Sequence, residues 1–259
     1  MAEYITTSME DGVCVISLNR PDKYHSFIKP MAFALQDALD AAAEDDSVRA
    51  VLLTATGKAF CAGQDLKEAT EPGGPELTKI VSEHYNPIIH KMRNLPKPLV
   101  VGVNGVAAGA GANIALAGDI VLATESATFI QAFSKIGLIP DSGGTFMLPR
   151  LVGLQRATAL MMTADPVTAK EAVDMGMIYK YFPDESFAKD VLAFTKKLAK
   201  MPTKGLMLTK KALNKSLTNN LDTQLQCEDD LQTQAGNTRD FKEGVAAFIE
   251  KRQPNFEGR

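Results

Sequence analysis

The chain contains no tryptophan, three cysteines and three histidines in 259 residues. Cys14, Cys61 and Cys227 are far apart, odd in number and without metal-site spacing. This excludes a disulfide framework and reads as reduced thiols of an intracellular protein. His84 and His90 complete no metal set and read as surface or half-buried helix residues. No charge of one sign is in excess: 28 Lys and Arg against 31 Asp and Glu leave a net charge of −3. Neither nucleic acid nor a membrane surface is therefore expected as a partner. Long apolar runs are also missing. The most apolar stretch, 99–123, is broken by Asn104, Asn113 and Asp119 and dominated by Gly and Ala, whereas a spanning helix needs about 20 strongly apolar residues. The first residues show no basic segment followed by an apolar run, so no secretory leader and a cytoplasmic location are expected.

What remains is ordinary globular composition, with 45% hydrophobic and 23% charged residues. The pattern predicts strands at 4–9 and 13–18 joined by Glu10-Asp11-Gly12, a helix at 29–43 and a buried strand at 48–55. A loop of small residues follows at 59–66, then a helix at 76–94 interrupted near Pro87. A central strand at 99–103, a small-residue helix at 109–117 and strands at 120–123 and 128–130 complete the alternation. Strands alternating with helices imply an α/β fold. Beyond Leu151 strand signals nearly vanish, 178–182 being the last. Helices are predicted at 186–200, 203–217, 221–234 and 239–250, with Asp222 and Thr238 at plausible N-caps. A mixed core over 1–190 with a helical tail over 191–259 is the expected organisation, with no repeat visible in the sequence.

Two stretches carry chemistry. Val100 to Asp119 runs from a buried strand through a Gly- and Ala-rich turn into a helix, an arrangement that exposes backbone N–H groups. It fails as a dinucleotide fingerprint, because Ile114 stands where a third Gly or Ala belongs. Further on, Ile139-Pro140-Asp141-Ser142-Gly143-Gly144-Thr145 places one carboxylate in an apolar, glycine-rich setting. Asp141 suits a general acid/base if buried, and equally suits an N-cap for a helix starting near Gly143.

The motifs in order are Leu18-Asn19-Arg20-Pro21, Ala59-Phe60-Cys61-Ala62-Gly63-Gln64-Asp65-Leu66, Asn104-Gly105-Val106-Ala107-Ala108-Gly109-Ala110-Gly111, Ile139-Pro140-Asp141 with Gly143-Gly144-Thr145, and Phe248-Ile249-Glu250-Lys251-Arg252. Together they resemble the crotonase (enoyl-CoA hydratase/isomerase) superfamily over the whole chain. The resemblance implies a spiral of β-β-α turns, a C-terminal helical region that assembles homotrimers or hexamers, and acyl-CoA substrates with no separate cofactor. It assigns oxyanion donors to the N–H groups of Gln64 and Ala110, with Gly63, Gly109 and Gly111 allowing close approach, and it favours Asp141 as the acid/base. CoA is implied against Cys61, Ala62, Gly63, Gln64, Asp65 and Leu66, with Lys23 and a neighbouring subunit's Lys251 near its phosphates. Both lysines suit plain solvated surface as well. His25-Ser26 departs from the family's usual Asn-Ser or Asn-Ala.

The resemblance also sharpens the reaction type. Hydratases of the family activate water with two glutamates, whose positions here are held by Asn113 and Phe133, neither able to act as a base. Phe133, with Phe129 and Ile130, is expected to line an apolar acyl pocket that Tyr85, Ile88 and Ile89 close. A single carboxylate moving a proton between carbons implies an isomerase. The segments 132–145 and 220–225 imply ring-1,2-epoxyphenylacetyl-CoA going to oxepin-CoA, or 3-enoyl-CoA going to trans-2-enoyl-CoA. The alternatives are an aryl-CoA dehalogenase, opposed by the lack of the tryptophan such enzymes place at Phe133, and a non-catalytic RNA-binding member, opposed by the negative net charge.

Overall fold

The computed structural model describes residues 3–259. Its strands are β1 (Ile5–Glu10), β2 (Val13–Leu18), β3 (Ala50–Ala55), β4 (Ala59–Cys61), β5 (Leu99–Val103), β6 (Val106–Ala108), β7 (Ile120–Thr124), β8 (Thr128–Ile130), β9 (Val167–Thr168) and β10 (Lys180–Phe182). They form a six-stranded sheet, β1-β2-β3-β5-β7-β10, and a four-stranded sheet, β4-β6-β8-β9. Among the described residues only β1–β2 and β8–β9 are antiparallel pairs. Asp11 and Gly12 take φ of 50° and 81°, the positive pair that a tight two-residue hairpin requires.

Each central strand of the large sheet turns a corner into a short strand of the small one: β3 into β4, β5 into β6, β7 into β8. Helices then carry the chain back, so three β-β-α turns stack as a spiral. Backbone meets backbone at the corners. A Cβ on Gly105, between β5 and β6, would fall 2.1 Å from the carbonyl oxygen of Lys58, between β3 and β4. The repeat lies in geometry, which is why the sequence shows none.

Alternation along the strands separates two cores. Val51, Leu53, Leu99 and Val101 face the helix Lys29–Glu44 (Met31, Leu35, Leu39) and the helix Asn86–Asn94 (Ile88, Met92). Ala50, Leu52 and Val100 face Phe187 and Val191 of the helix Phe187–Ala199. Three further helices, Thr203–Ser216, Leu221–Gly236 and Arg239–Glu250, follow, with a small cluster of Leu208, Cys227 and Leu231. Arg49 ties them to the sheet by donating to Thr203 Oγ1 (2.5 Å) and to the Met201 carbonyl (2.9 Å). Asp119 is structural: it accepts from the Leu99 N–H (2.9 Å) and pairs with Lys210 (2.9 Å). Among the described residues no helix is long and apolar enough to cross a membrane.

Four expectations need correction. Residues 59–66 are not all loop, since Ala59–Cys61 pairs with β6. Strand structure beyond Leu151 includes β9 as well as β10. Thr238 caps its helix, but Asn220, not Asp222, caps Leu221–Gly236 by accepting the Thr223 N–H. His84 is fully buried rather than superficial.

The stacked corners predict that Gly105→Ala, which forces a methyl onto the Lys58 carbonyl, destabilises the fold by roughly 1–3 kcal/mol or more. Urea denaturation measures this, and an unchanged midpoint would show that the corners tolerate a side chain.

Candidate active site

Where the first and second turns of the spiral meet, two stretches of main chain lie against each other. Gly63 has φ of 89°, and a Cβ there would stand 3.0 Å from the Ala108 carbonyl oxygen and 3.4 Å from the Ala110 nitrogen. Gly109 has φ of 55° and starts the helix Ala110–Leu116. A Cβ on Gly111 would meet the Cys61 carbonyl oxygen at 2.3 Å. Phe27 donates to the Gly63 carbonyl (2.7 Å) and accepts from Asp65 N–H (2.9 Å), which leaves the intervening Gln64 N–H turned away. Ala110 is the first residue of its helix, so its N–H has no intrahelical acceptor. Among the described residues, neither N–H finds an acceptor.

Asp141 sits just before the helix Gly144–Val152. Ser142 and Gly143 both take left-handed φ, 50° and 73°, and the carboxyl is left half-buried. The residue that precedes the helix is Gly143, with no side-chain cap, so the N-cap alternative for Asp141 falls. Its carboxylate accepts the Ser142 hydroxyl at 2.8 Å. Burial raises its pKa, the Ser142 hydrogen bond opposes this, and no cation contributes.

Asn113 connects acid and cradle. It lies one turn along the helix that Ala110 begins and donates from Nδ2 to the Asp141 carbonyl at 2.9 Å. Its Oδ1 accepts from Gln131 Nε2 at 2.8 Å. A Cβ on Gly144 would collide with Nδ2 at 2.3 Å, so that glycine makes room for the amide. Phe133 is buried, with its ring edge 4.0 Å from where a Gly109 Cβ would be. Ile89 lies against Gly143, its Cγ2 3.6 Å from a Cβ built there. Tyr85, buried, donates to Gln64 Oε1 at 2.9 Å. Burial raises its phenol pKa well above the usual value, with further contributions from the charges of Cys61, Asp141 and Glu68. Ser142, Gln131 and Glu68 carried no signal in the sequence.

The structure thus brings Gly63, Gln64, Gly109, Ala110, Asn113, Phe133 and Asp141 together. Cys61 donates its thiol to the His25 carbonyl (3.2 Å), and burial pushes the thiol up to about 12, so it is a small spacer and not a nucleophile. Asp65 caps the helix Leu66–Thr70 and pairs with Arg20 at 2.7 Å. Ala62 and Leu66 are exposed. Lys23 is exposed beside Tyr24, whose carbonyl accepts the Ala62 N–H (2.9 Å). Lys251 is exposed at the end of the last helix with φ of 55°. His25 adopts φ of 53°, a left-handed conformation in which Asn and His are both enriched. This accounts for its standing where the family has Asn.

Two unengaged main-chain donors beside an uncompensated acid form a site able to hold an anionic oxygen and move a proton. The chain belongs to the enoyl-CoA hydratase/isomerase family, whose model it matches over residues 8–259. It is 46% identical over 262 residues to 1,2-epoxyphenylacetyl-CoA isomerase of Escherichia coli K12, covering 100% of both chains. It is 36% identical to trans-2-decenoyl-[acyl-carrier-protein] isomerase of Streptococcus mutans, covering 98% of each. The crystal structure of an enoyl-CoA hydratase from Bacillus anthracis superposes with a TM-score of 0.92 at 31% identity, covering 99% of this chain and 100% of that one.

A raised carboxyl pKa costs stability when the group ionises. The native state binds the proton more tightly than the unfolded chain, so Asp141's contribution is most favourable below the unfolded pKa and is lost as pH rises through the folded one. Asp141→Asn is therefore expected to raise the denaturation midpoint at pH 7, with the advantage shrinking toward pH 4. A variant less stable than wild type at pH 7 would contradict this.

Proposed function

We propose that the chain is a CoA-thioester isomerase in which Asp141 is the sole acid/base. Asp141 removes a proton beside the thioester carbonyl, the resulting oxyanion is held by the N–H groups of Gln64 and Ala110, and the proton returns at another carbon. The observation that carries this is Asn113: both ends of its amide are engaged, one on Gln131 and one on the Asp141 carbonyl, at a position where a hydratase needs a free carboxylate. Phe133 occupies the second such position with an apolar ring. One acid without a partner suits shuttling a proton rather than adding water.

The E. coli and S. mutans relatives named as isomerases support the same reaction class. The proposed substrates are ring-1,2-epoxyphenylacetyl-CoA, rearranged to oxepin-CoA, and 3-enoyl-CoA, converted to trans-2-enoyl-CoA. CoA is carried by the substrate and no other cofactor is needed. Its nucleotide would lie along Cys61–Leu66 with Lys23 at the rim and Lys251 supplied by a neighbouring subunit. Residues 1–190 would hold the site, and 191–259 would assemble a cytoplasmic homotrimer or hexamer. Exposed Leu221, Leu225, Phe241, Phe248 and Ile249 on the last two helices support that assembly.

Asp141→Asn is expected to lower turnover of both substrates by roughly 10²–10⁴-fold while CoA-product affinity persists. Product mass and ultraviolet spectra read the turnover, and wild-type rates would remove Asp141 from the mechanism. Sedimentation should give three or six chains per particle, and a monomer would refute the assembly.

A further inference from the structure

Tyr85 is 1% exposed and still carries a hydroxyl, which at that depth needs a partner. The partner is Gln64 Oε1 at 2.9 Å. Gln64 Nε2 donates in turn to Glu68 Oε2 at 3.0 Å. Glu68 Oε1 accepts the Lys29 N–H at 2.9 Å, at the start of the helix Lys29–Glu44. The Gln64 side chain is therefore gripped at both ends, by groups anchored on separate elements.

Tyr85 reaches Gln64 through a change of helical period. Between the turn Leu77–Lys79 and the helix Asn86–Asn94, residues Ile80–Tyr85 form a π-helical turn, and the Asn86 N–H reaches back five residues to the Val81 carbonyl. Pro87 has no N–H to offer the Glu83 carbonyl. Gln36 Nε2 replaces it, donating to the Glu83 carbonyl at 2.8 Å and the His84 carbonyl at 3.2 Å. The turn buries both His84 and Tyr85, while Glu83 and Asn86 on either side remain exposed. Such insertions recur at functional sites, and the interruption near Pro87 expected from the sequence is this turn.

We infer that Tyr85 and Glu68 are positioning residues for the Gln64 amide, fixing the direction of its N–H by holding both ends of its side chain, with the Gln36-supported π turn setting the reach of Tyr85. The inference rests on the isomerase reading, in which that N–H is one of two oxyanion donors. Neither residue needs to touch the acyl group. Their effect falls on the anionic state, where a donor displaced by a fraction of an ångström loses most of its worth.

Tyr85→Phe tests this, because it keeps the ring packed on Phe27 at a centroid distance of 5.8 Å and removes only the hydroxyl. Turnover of 3-enoyl-CoA should fall about tenfold, less than the roughly 10²–10³-fold of losing a donor outright, with KM within about twofold. Acetoacetyl-CoA supplies a readout independent of Asp141: the fraction bound as enolate, followed by its ultraviolet band, should drop, while affinity for butyryl-CoA holds. Gln36→Met, remote from the acyl group, should change the enolate band in the same direction. In a Gln64→Leu background, Tyr85→Phe should add nothing further, since its grip is already gone. An unchanged enolate band, a rise in KM without loss of kcat, or full additivity with Gln64→Leu would each overturn the inference. Wild-type turnover in Asp141→Asn would sink the isomerase reading instead and leave the enolate comparison to decide the role of Tyr85.

Discussion

The site depends on main chain lying directly on main chain. The Cys61–Gln64 stretch and the Ala108–Gly111 stretch approach so closely that a methyl on Gly111 would strike the Cys61 carbonyl and side chain, and one on Gly63 would crowd the Ala108 carbonyl. Folded chains pair nearly all buried N–H groups, so two left unengaged in one place are a cost to folding, which the oxyanion of the proposed reaction would offset. Backbone amides also cannot change protonation state. A cradle built from them holds its polarity at any working pH and leaves proton transfer to one side chain.

In the proposed reaction that task falls to Asp141, and its surroundings leave the carboxyl free for it. The Ser142 hydroxyl bonds its carboxylate, and the neutral amide of Asn113, itself held by Gln131, bonds its carbonyl. A lysine or arginine here would pull the carboxyl pKa down and weaken it as an acid, and a second carboxylate would split the titration between two groups. Asn113 therefore does more than fail to be a glutamate. It anchors the main chain of Asp141, and the absence of a Gly144 side chain gives it the space to do so.

Much of this was legible before the structure. The strands at 13–18, 99–103 and 128–130 and the helix at 239–250 coincide with the observed bounds, because alternation, a Thr238 cap and long periodic runs are strong local signals. The Ala-containing strands β4 and β6 and the two-residue β9 were illegible, whereas the equally short Thr128–Ile130 is built of β-branched and aromatic residues. Asp141 stood out as a lone acid among glycines, but removing the N-cap alternative required seeing Gly143 before the helix. Gln131 was invisible because its partner Asn113 is brought to it by the spiral, and Glu68 because its grip on the Lys29 N–H is equally non-local. His84 was misplaced because a 3.6-residue pattern cannot anticipate a π turn.

The two aspartates of the site show how one fold assigns opposite duties to one side chain. Both lose solvent, which raises a carboxyl pKa. For Asp65 that rise is outweighed by the Arg20 guanidinium and by the N–H groups of Glu68 and Lys67, and its pKa ends below the usual carboxylate range. It stays charged and locked, joining the 20–26 turn to the loop that carries Gln64, because Arg20 also donates to the Ser26 carbonyl and hydroxyl. For Asp141 only the Ser142 hydroxyl and a main-chain hydrogen bond oppose burial, and its pKa stays raised. Environments that push two acids apart in this way separate the group that holds the architecture from the group that can exchange a proton. Exchanging their surroundings would leave neither task performed: a charge-locked Asp141 would not take a proton back and forth, and an unpaired Asp65 would release the loop on which the Gln64 amide depends.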